Sequence, residues 1–172
     1  MTKKAFFRNL ANGEVDVIQK LVELLNKNNV SYCVIGGLGV NAYVEPVVSL
    51  DLDLVLADNN LDWVLKAAEK YFTMRKFPHS INLEHPKSDL RIQLRIDSRY
   101  QAFIHRAQLL TLMGYEMKVA SKEDILQGKI WAYSDAKRRQ SKRQKDLADI
   151  FRLIEAYPHL KERLPESIQL MI

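Results

Sequence analysis

From Glu14 to Asn28 the apolar residues Val15, Ile18, Leu21, Val22, Leu24 and Leu25 recur at helical spacing, and the polar run 26–29 stops them, which predicts an amphipathic helix. The β-branched and aromatic run 31–35 ends abruptly at Gly36-Gly37 and reads as a buried strand meeting a tight turn. A short helix from Leu38 to about Val44 follows, broken by Glu45-Pro46. Residues 50–56, LDLDLVL, alternate and then turn wholly apolar, as a half-buried strand does. A helix over about 60–71 precedes two further strands at 81–85 and 90–97. The second sets Leu90, Ile92, Leu94 and Ile96 on one face against Arg91, Gln93, Arg95 and Asp97 on the other. Beyond Tyr100 the pattern predicts a short helix to about Ala107 and a strand pair around 109–119. Ser121 followed by Asp124 then opens a helix to about Tyr133, as a shortened capping box. A last helix over 141–157 carries Leu147, Ile150, Phe151, Ile154 and Tyr157 on one stripe and stops at Pro158. Trp63 and Trp131 fall on predicted helices as core anchors.

This layout is α+β (α/β): a mixed sheet flanked by helices and followed by a helical tail. The chain has 172 residues, the length of one domain. The expected division is a core over about 14–120 and a C-terminal helical part over about 121–172. Cys33 is the single cysteine, so no intramolecular disulfide and no multi-cysteine metal cluster can form, and a reducing cytoplasm is the expected compartment. The first residues lack a signal-peptide core, and no apolar run approaches the roughly 20 residues of a membrane helix. The four histidines are scattered without metal-site spacing. The net charge of +5 is uneven, because residues 1–86 carry 9 basic and 10 acidic side chains and residues 87–172 carry 17 and 11.

The candidate chemistry concentrates in residues 35–56. Asp51 and Asp53 are one residue apart within a strand, so both carboxylates project from the same face, about 7 Å apart along the chain. Two such acids repel unless a cation lies between them, which makes them candidate ligands for a divalent metal. The plainer alternative is an edge strand with two solvated acids. Gly36-Gly37, after a strand and before a short helix, supplies bare backbone N–H groups where phosphate oxygens could bind. Residues 37–42 also satisfy the dinucleotide fingerprint GxGxxA. That motif requires a full crossover helix, whereas Glu45-Pro46 stops this one after about two turns.

The order strand, Gly-Gly, short helix and DxD on a neighbouring strand resembles the nucleotidyltransferase superfamily typified by DNA polymerase β. The second half looks most like the abortive-infection toxin type, AbiEii, and its small relatives, through GKIWAY with Lys129 and KDLADI with Lys145, Asp146 and Asp149. The resemblance covers about residues 31–157. It implies Mg²⁺ (or Mn²⁺) on Asp51 and Asp53 and triphosphate contacts from Gly36, Gly37, Ser49 and Lys129. Asp51, Asp53 and Lys129 would be the catalytic set, and Asp146 and Asp149 would form i,i+4 ion pairs with the nearby Lys142 and Lys145.

Two departures from the superfamily bear on activity. Val47 stands where many relatives carry arginine, and Gln93 occupies the expected place of a third carboxylate. A neutral amide cannot act as general base, and Asp97 lies about 13 Å further along the strand. The expected activity is metal-dependent transfer of a nucleoside monophosphate from a nucleoside triphosphate to RNA, protein or a small molecule. The alternative is a nucleotide- or RNA-binding protein without turnover in a toxin–antitoxin or regulatory assembly. The segment 136–145 holds six cations in ten residues, and Arg138, Arg139, Lys142 and Arg143 are its candidate nucleic-acid contacts, with tRNA the acceptor the toxin resemblance favours.

Overall fold

A computed structural model describes all residues, 1–172. Seven strands form one mixed sheet: β1 (Tyr32–Ile35), β2 (Asp51–Leu56), β3 (Thr73–Phe77), β4 (Ser80–His85), β5 (Ser88–Arg95), β6 (Gln108–Leu112) and β7 (Tyr115–Val119), in the order β3-β4-β5-β2-β1-β7-β6. β1 and β2 are antiparallel, while β2 with β5 and β1 with β7 are parallel. The helices are α1 (Lys3–Leu10), α2 (Val17–Lys27), α3 (Gly36–Val40), α4 (Leu61–Ala68), α5 (Gln101–His105), α6 (Lys122–Ser134), α7 (Gln140–Ala156) and α8 (Glu166–Gln169). The fold is the α+β arrangement that the hydrophobic pattern predicts.

Period-2 burial decides what the sheet presents. On β5 Leu90, Ile92 and Leu94 are buried, and on β2 so are Leu52 and Leu54. Each such side chain contributes roughly 1.5–3 kcal/mol by leaving water. Alternation then forces Asp51, Asp53, Arg91, Gln93 and Arg95 onto the opposite face. There α6 and α7 pack against each other and both touch α3. Ser121 caps α6 by accepting from Asp124 N–H at 3.2 Å, as the shortened capping box predicts.

Four features differ from the sequence pattern. The short third helix begins at Gly36 rather than Leu38 and ends at Val40. α1, capped by Thr2, was not evident, because only Phe7 on it is fully buried. β3 escaped as well: its residues TMRKF show no apolar alternation, since it is an exposed edge strand, and charged side chains suit such an edge. Trp63 is no core anchor, being 45% exposed, because α4 buries Val64, Leu65 and Ala68 instead. Trp131, by contrast, stacks on Phe103 with ring centroids 5.7 Å apart. No helix is long and apolar enough to cross a membrane.

Candidate functional site

β1 runs directly into Gly36, whose φ of 70° lies in the left-handed region that favours glycine. Ile35 pairs with Asp53, so this turn sits beside the DxD strand, and a Cβ on Gly36 would overlap the Asp53 carboxylate. The glycine is therefore required twice, for its backbone angle and for the room it leaves to Asp53. Gly37 faces Ser49 and Asp149 with ordinary spacing.

In register, Asp51 lies opposite Arg91, and Asp53 lies opposite Gln93, which in turn faces Asn82 of β4. Arg91 Nε donates to Asp51 Oδ1 at 2.9 Å, and Arg95 Nη2 donates to Asp53 Oδ1 at 3.2 Å. Arg95 also reaches Gln93 Oε1 at 3.3 Å. Burial opposes the charge on the Arg95 guanidinium, but Asp53, with Tyr100 and Asp146, more than offsets it and holds the Arg95 pKa above its ordinary value. Each aspartate thus commits Oδ1 to an arginine, and neither Oδ2 takes part in these bonds. Asp51 and Asp53, with the Gln93 amide oxygen opposite Asp53, are hard oxygen donors of the kind that could hold Mg²⁺ or Mn²⁺. No third Asp, Glu, His or Cys joins them.

These residues line a cleft of about 650 Å³ together with Gly37, Ser49, Lys129 and the start of α7. Seven cationic and three acidic side chains line it, and Phe77 is its one hydrophobic residue. Such a surface suits a polyphosphate better than an apolar ligand. Among the candidate nucleic-acid contacts Arg138, Arg139 and Lys142 line the cleft, joined by Lys145. Arg143 does not; it donates to the Tyr133 carbonyl at 2.7 Å and lies over that ring.

Lys129 lines the cleft but is buried, and its ammonium is shared: Nζ donates to Asp146 Oδ1 at 3.0 Å and forms an ion pair with Asp149 Oδ2 at 2.6 Å. Burial pulls its pKa down, yet Asp149 and Asp146 outweigh this and hold it above the ordinary value. Arg138 Nε completes Asp146 at 2.6 Å, and Arg152 Nη1 completes Asp149 at 2.8 Å. The expected i,i+4 pairs of Asp146 and Asp149 with Lys142 and Lys145 do not form, because both carboxylates face α6 across the helix pair. Arg152 extends the network by donating to Asn41 Oδ1 at 3.0 Å and to the Glu45 carbonyl. Asn41 in turn clasps the backbone of Val47 through two hydrogen bonds. The segment before the DxD strand is therefore anchored to α7. Asp97 caps the turn at 98–100 and pairs with Arg99, with no place in the cleft.

Sequence reading placed Arg91 and Arg95 on the correct face but assigned them no role, and it missed Arg152, Asn82 and Phe77. The signal available was the RIQLR alternation opposite DLD; the register joining them spans 40 residues and is invisible locally.

No protein-family model matches the chain, and no curated protein matches it in sequence. Solved structures do resemble it. ANT(2'')-Ia in complex with adenylyl-2''-tobramycin superposes with a TM-score of 0.58 at 13% identity, covering 86% of this chain and 96% of that one. The lincomycin-bound lincosamide antibiotic adenylyltransferase LnuA gives 0.55 at 13% identity, covering 79% and 95%. An antigenic nucleotidyltransferase-like protein from Paracoccidioides brasiliensis gives 0.54 at 22% identity, covering 87% and 75%. At these identities the likeness is one of fold, and the fold of this chain is nucleotidyltransferase-like.

Proposed function

We propose that the cleft transfers a nucleoside monophosphate from a nucleoside triphosphate to a hydroxyl acceptor. The observation that carries this reading is that Asp51 and Asp53 face one cleft with Gly37, Ser49 and the cations at the start of α7. Arg139, Lys142 and Lys145 form no ion pair within the chain, which leaves them available for phosphate oxygens. The Gly36-Gly37 turn sits beside Asp53 and orients the chain of phosphates toward β1. The acceptor oxygen forms a bond to the α-phosphorus while the bond from that phosphorus to the bridging oxygen breaks; pyrophosphate leaves and the hydroxyl proton passes to water. Asp51 and Asp53, with Gln93 as a neutral third oxygen, would hold Mg²⁺ or Mn²⁺, which when bound would supply charge stabilisation of the phosphate. Lys129 acts as a positioning residue, fixing α6 on α7 and, through Asp149 and Arg152, the segment that carries Ser49.

Gln93 and the two arginine pairs favour a second reading, in which the cleft binds nucleotide without turnover within a toxin–antitoxin or regulatory assembly of the AbiEii type. In both readings the protein works in the cytoplasm. The test is to incubate the protein with Mg²⁺ or Mn²⁺, each α-labelled nucleoside triphosphate and total RNA, and to follow transfer of label with pyrophosphate release. Transfer that disappears in the Asp51→Asn, Asp53→Asn double variant supports the first reading. Transfer that survives overturns the site. Metal-dependent nucleotide binding with no transfer establishes the second reading.

A further inference from the structure

The cleft has two unlike ends. One, at α7, is cationic. The other, on the β3–β4 hairpin, presents the uncharged side chains of Phe77, Ser80 and Asn82. Phe77 is 48% exposed and pairs with Ser80 in register, so an aromatic ring stands open at the cleft rim beside a hydroxyl. Asn82 is only 8% exposed, and its Oδ1 has no hydrogen-bond partner. A buried amide oxygen left unpaired is unfavourable, and a ligand N–H or O–H would relieve this.

The register fixes where such a ligand lies. Asp53, Gln93, Asn82 and Arg75 are aligned on β2, β5, β4 and β3, so Asn82 is two strand spacings, roughly 10 Å, from Asp53. Gly36-Gly37 lies on the other side of Asp53, at β1. In-line displacement at the α-phosphorus puts leaving pyrophosphate and incoming hydroxyl on opposite sides. With the phosphates toward Gly36-Gly37, the acceptor enters from the hairpin.

We infer that the hairpin is the acceptor subsite and that it takes a ribonucleoside, with the base stacked on Phe77 and a ribose hydroxyl donating to Asn82 Oδ1. A π-face and a lone hydrogen-bond acceptor beside it fit a planar base joined to a diol. The exposed Arg75 lies outside the cleft lining, on the outermost strand at the same alternation as Phe77, where it would meet the phosphate that precedes a terminal nucleoside. On this reading the source is the 3′ end of an RNA rather than a free nucleoside. This inference rests on the proposed transfer reaction for the direction of entry, and its test separates the two.

Calorimetry with Mg²⁺ and ATP measures the phosphate end, and titration with adenosine or with a hexaribonucleotide ending in a 3′-hydroxyl adenosine measures the hairpin. Phe77→Ala is expected to weaken hexanucleotide binding at least tenfold while ATP affinity stays within twofold, and Phe77→Trp restores binding with quenching of the new indole. Asn82→Leu weakens both adenosine and hexanucleotide, whereas Arg75→Ala weakens only the hexanucleotide. Thermal melts identify any variant that fails to fold, and for such a variant the Phe77→Trp quenching decides. Hexanucleotide binding unchanged by Phe77→Ala and Asn82→Leu overturns the subsite. Adenosine bound as tightly as the hexanucleotide overturns the RNA assignment. Loss of ATP binding in the unmodified protein with hairpin binding intact overturns the transfer reaction and leaves the hairpin site standing.

Discussion

Two pairs of carboxylates lie at the same cleft, Asp149 alone of the four outside its lining, and the fold treats them differently. Asp146 and Asp149 are buried and share three cations, Lys129, Arg138 and Arg152, so that their charge is consumed inside the protein. Asp51 and Asp53 each hold one arginine through one oxygen, and Asp51 with Arg91 is partly open to water. Charge that is fully desolvated and neutralised serves packing; charge left half-satisfied at a cleft is available to a ligand. Sequence spacing treats the two pairs alike, since both are short acidic motifs, and only burial separates them.

In the buried pair the largest loss is expected at Lys129. Lys129→Met removes the shared ammonium and leaves two buried carboxylates with one arginine each, a loss expected to cost about 3–5 kcal/mol in denaturant unfolding. The same ion pairs set a pH signature. Because the folded pKa of Lys129 is raised above the ordinary 10.5, its stabilising contribution is complete below that value and is lost only as pH rises through the higher folded value. Stability of the unmodified protein should therefore hold on this account from neutrality to about pH 10 and then fall, and Lys129→Met should lack that alkaline component. A variant as stable as the parent would mean that the network is not structural and that Lys129 is free for triphosphate.

How much of this was legible follows from the range over which each feature is encoded. The glycine turn and DxD strand could be read because period 2 and glycine punctuation act over a few residues. β5 was readable for the same reason, down to the face carrying Arg91, Gln93 and Arg95. The pairing of those arginines with Asp51 and Asp53 was not, because it depends on a parallel register between strands far apart in the chain. The lysine of GKIWAY and the acids of KDLADI could be picked out by resemblance, but their joining into one buried network requires the packing of α6 on α7. β3 was lost because an exposed edge strand has no core to impose a pattern, and Phe77 and Arg75 went with it.

On the open side, Gly36 leaves the room that Asp53 occupies. An alanine there must adopt a positive φ, at about 1–2 kcal/mol, and its methyl would displace the Asp53 carboxylate. Gly36→Ala should lower both the melting temperature and metal-dependent ATP binding, whereas Gly37→Ala meets only ordinary contacts and should leave stability within about 1 kcal/mol. Equal behaviour of the two variants would show that the turn is not what holds Asp53 in place.

The smallest expected effect on stability is at Asp51. Its pair with Arg91 is between side chains that are 26% and 49% exposed, and an ion pair so hydrated contributes no more than about 1 kcal/mol. Asp51→Asn keeps the size and a hydrogen-bonding oxygen, so unfolding should shift by less than that while metal-dependent nucleotide binding falls steeply. A stable variant that has lost its ligand is the mark of a residue kept for binding, because the charge removed was doing little for the fold. Should Asp51→Asn instead lose as much stability as Lys129→Met, the arginine pair would be a structural clamp like that on Asp146, and the DxD strand would have no carboxylate to spare for a cation.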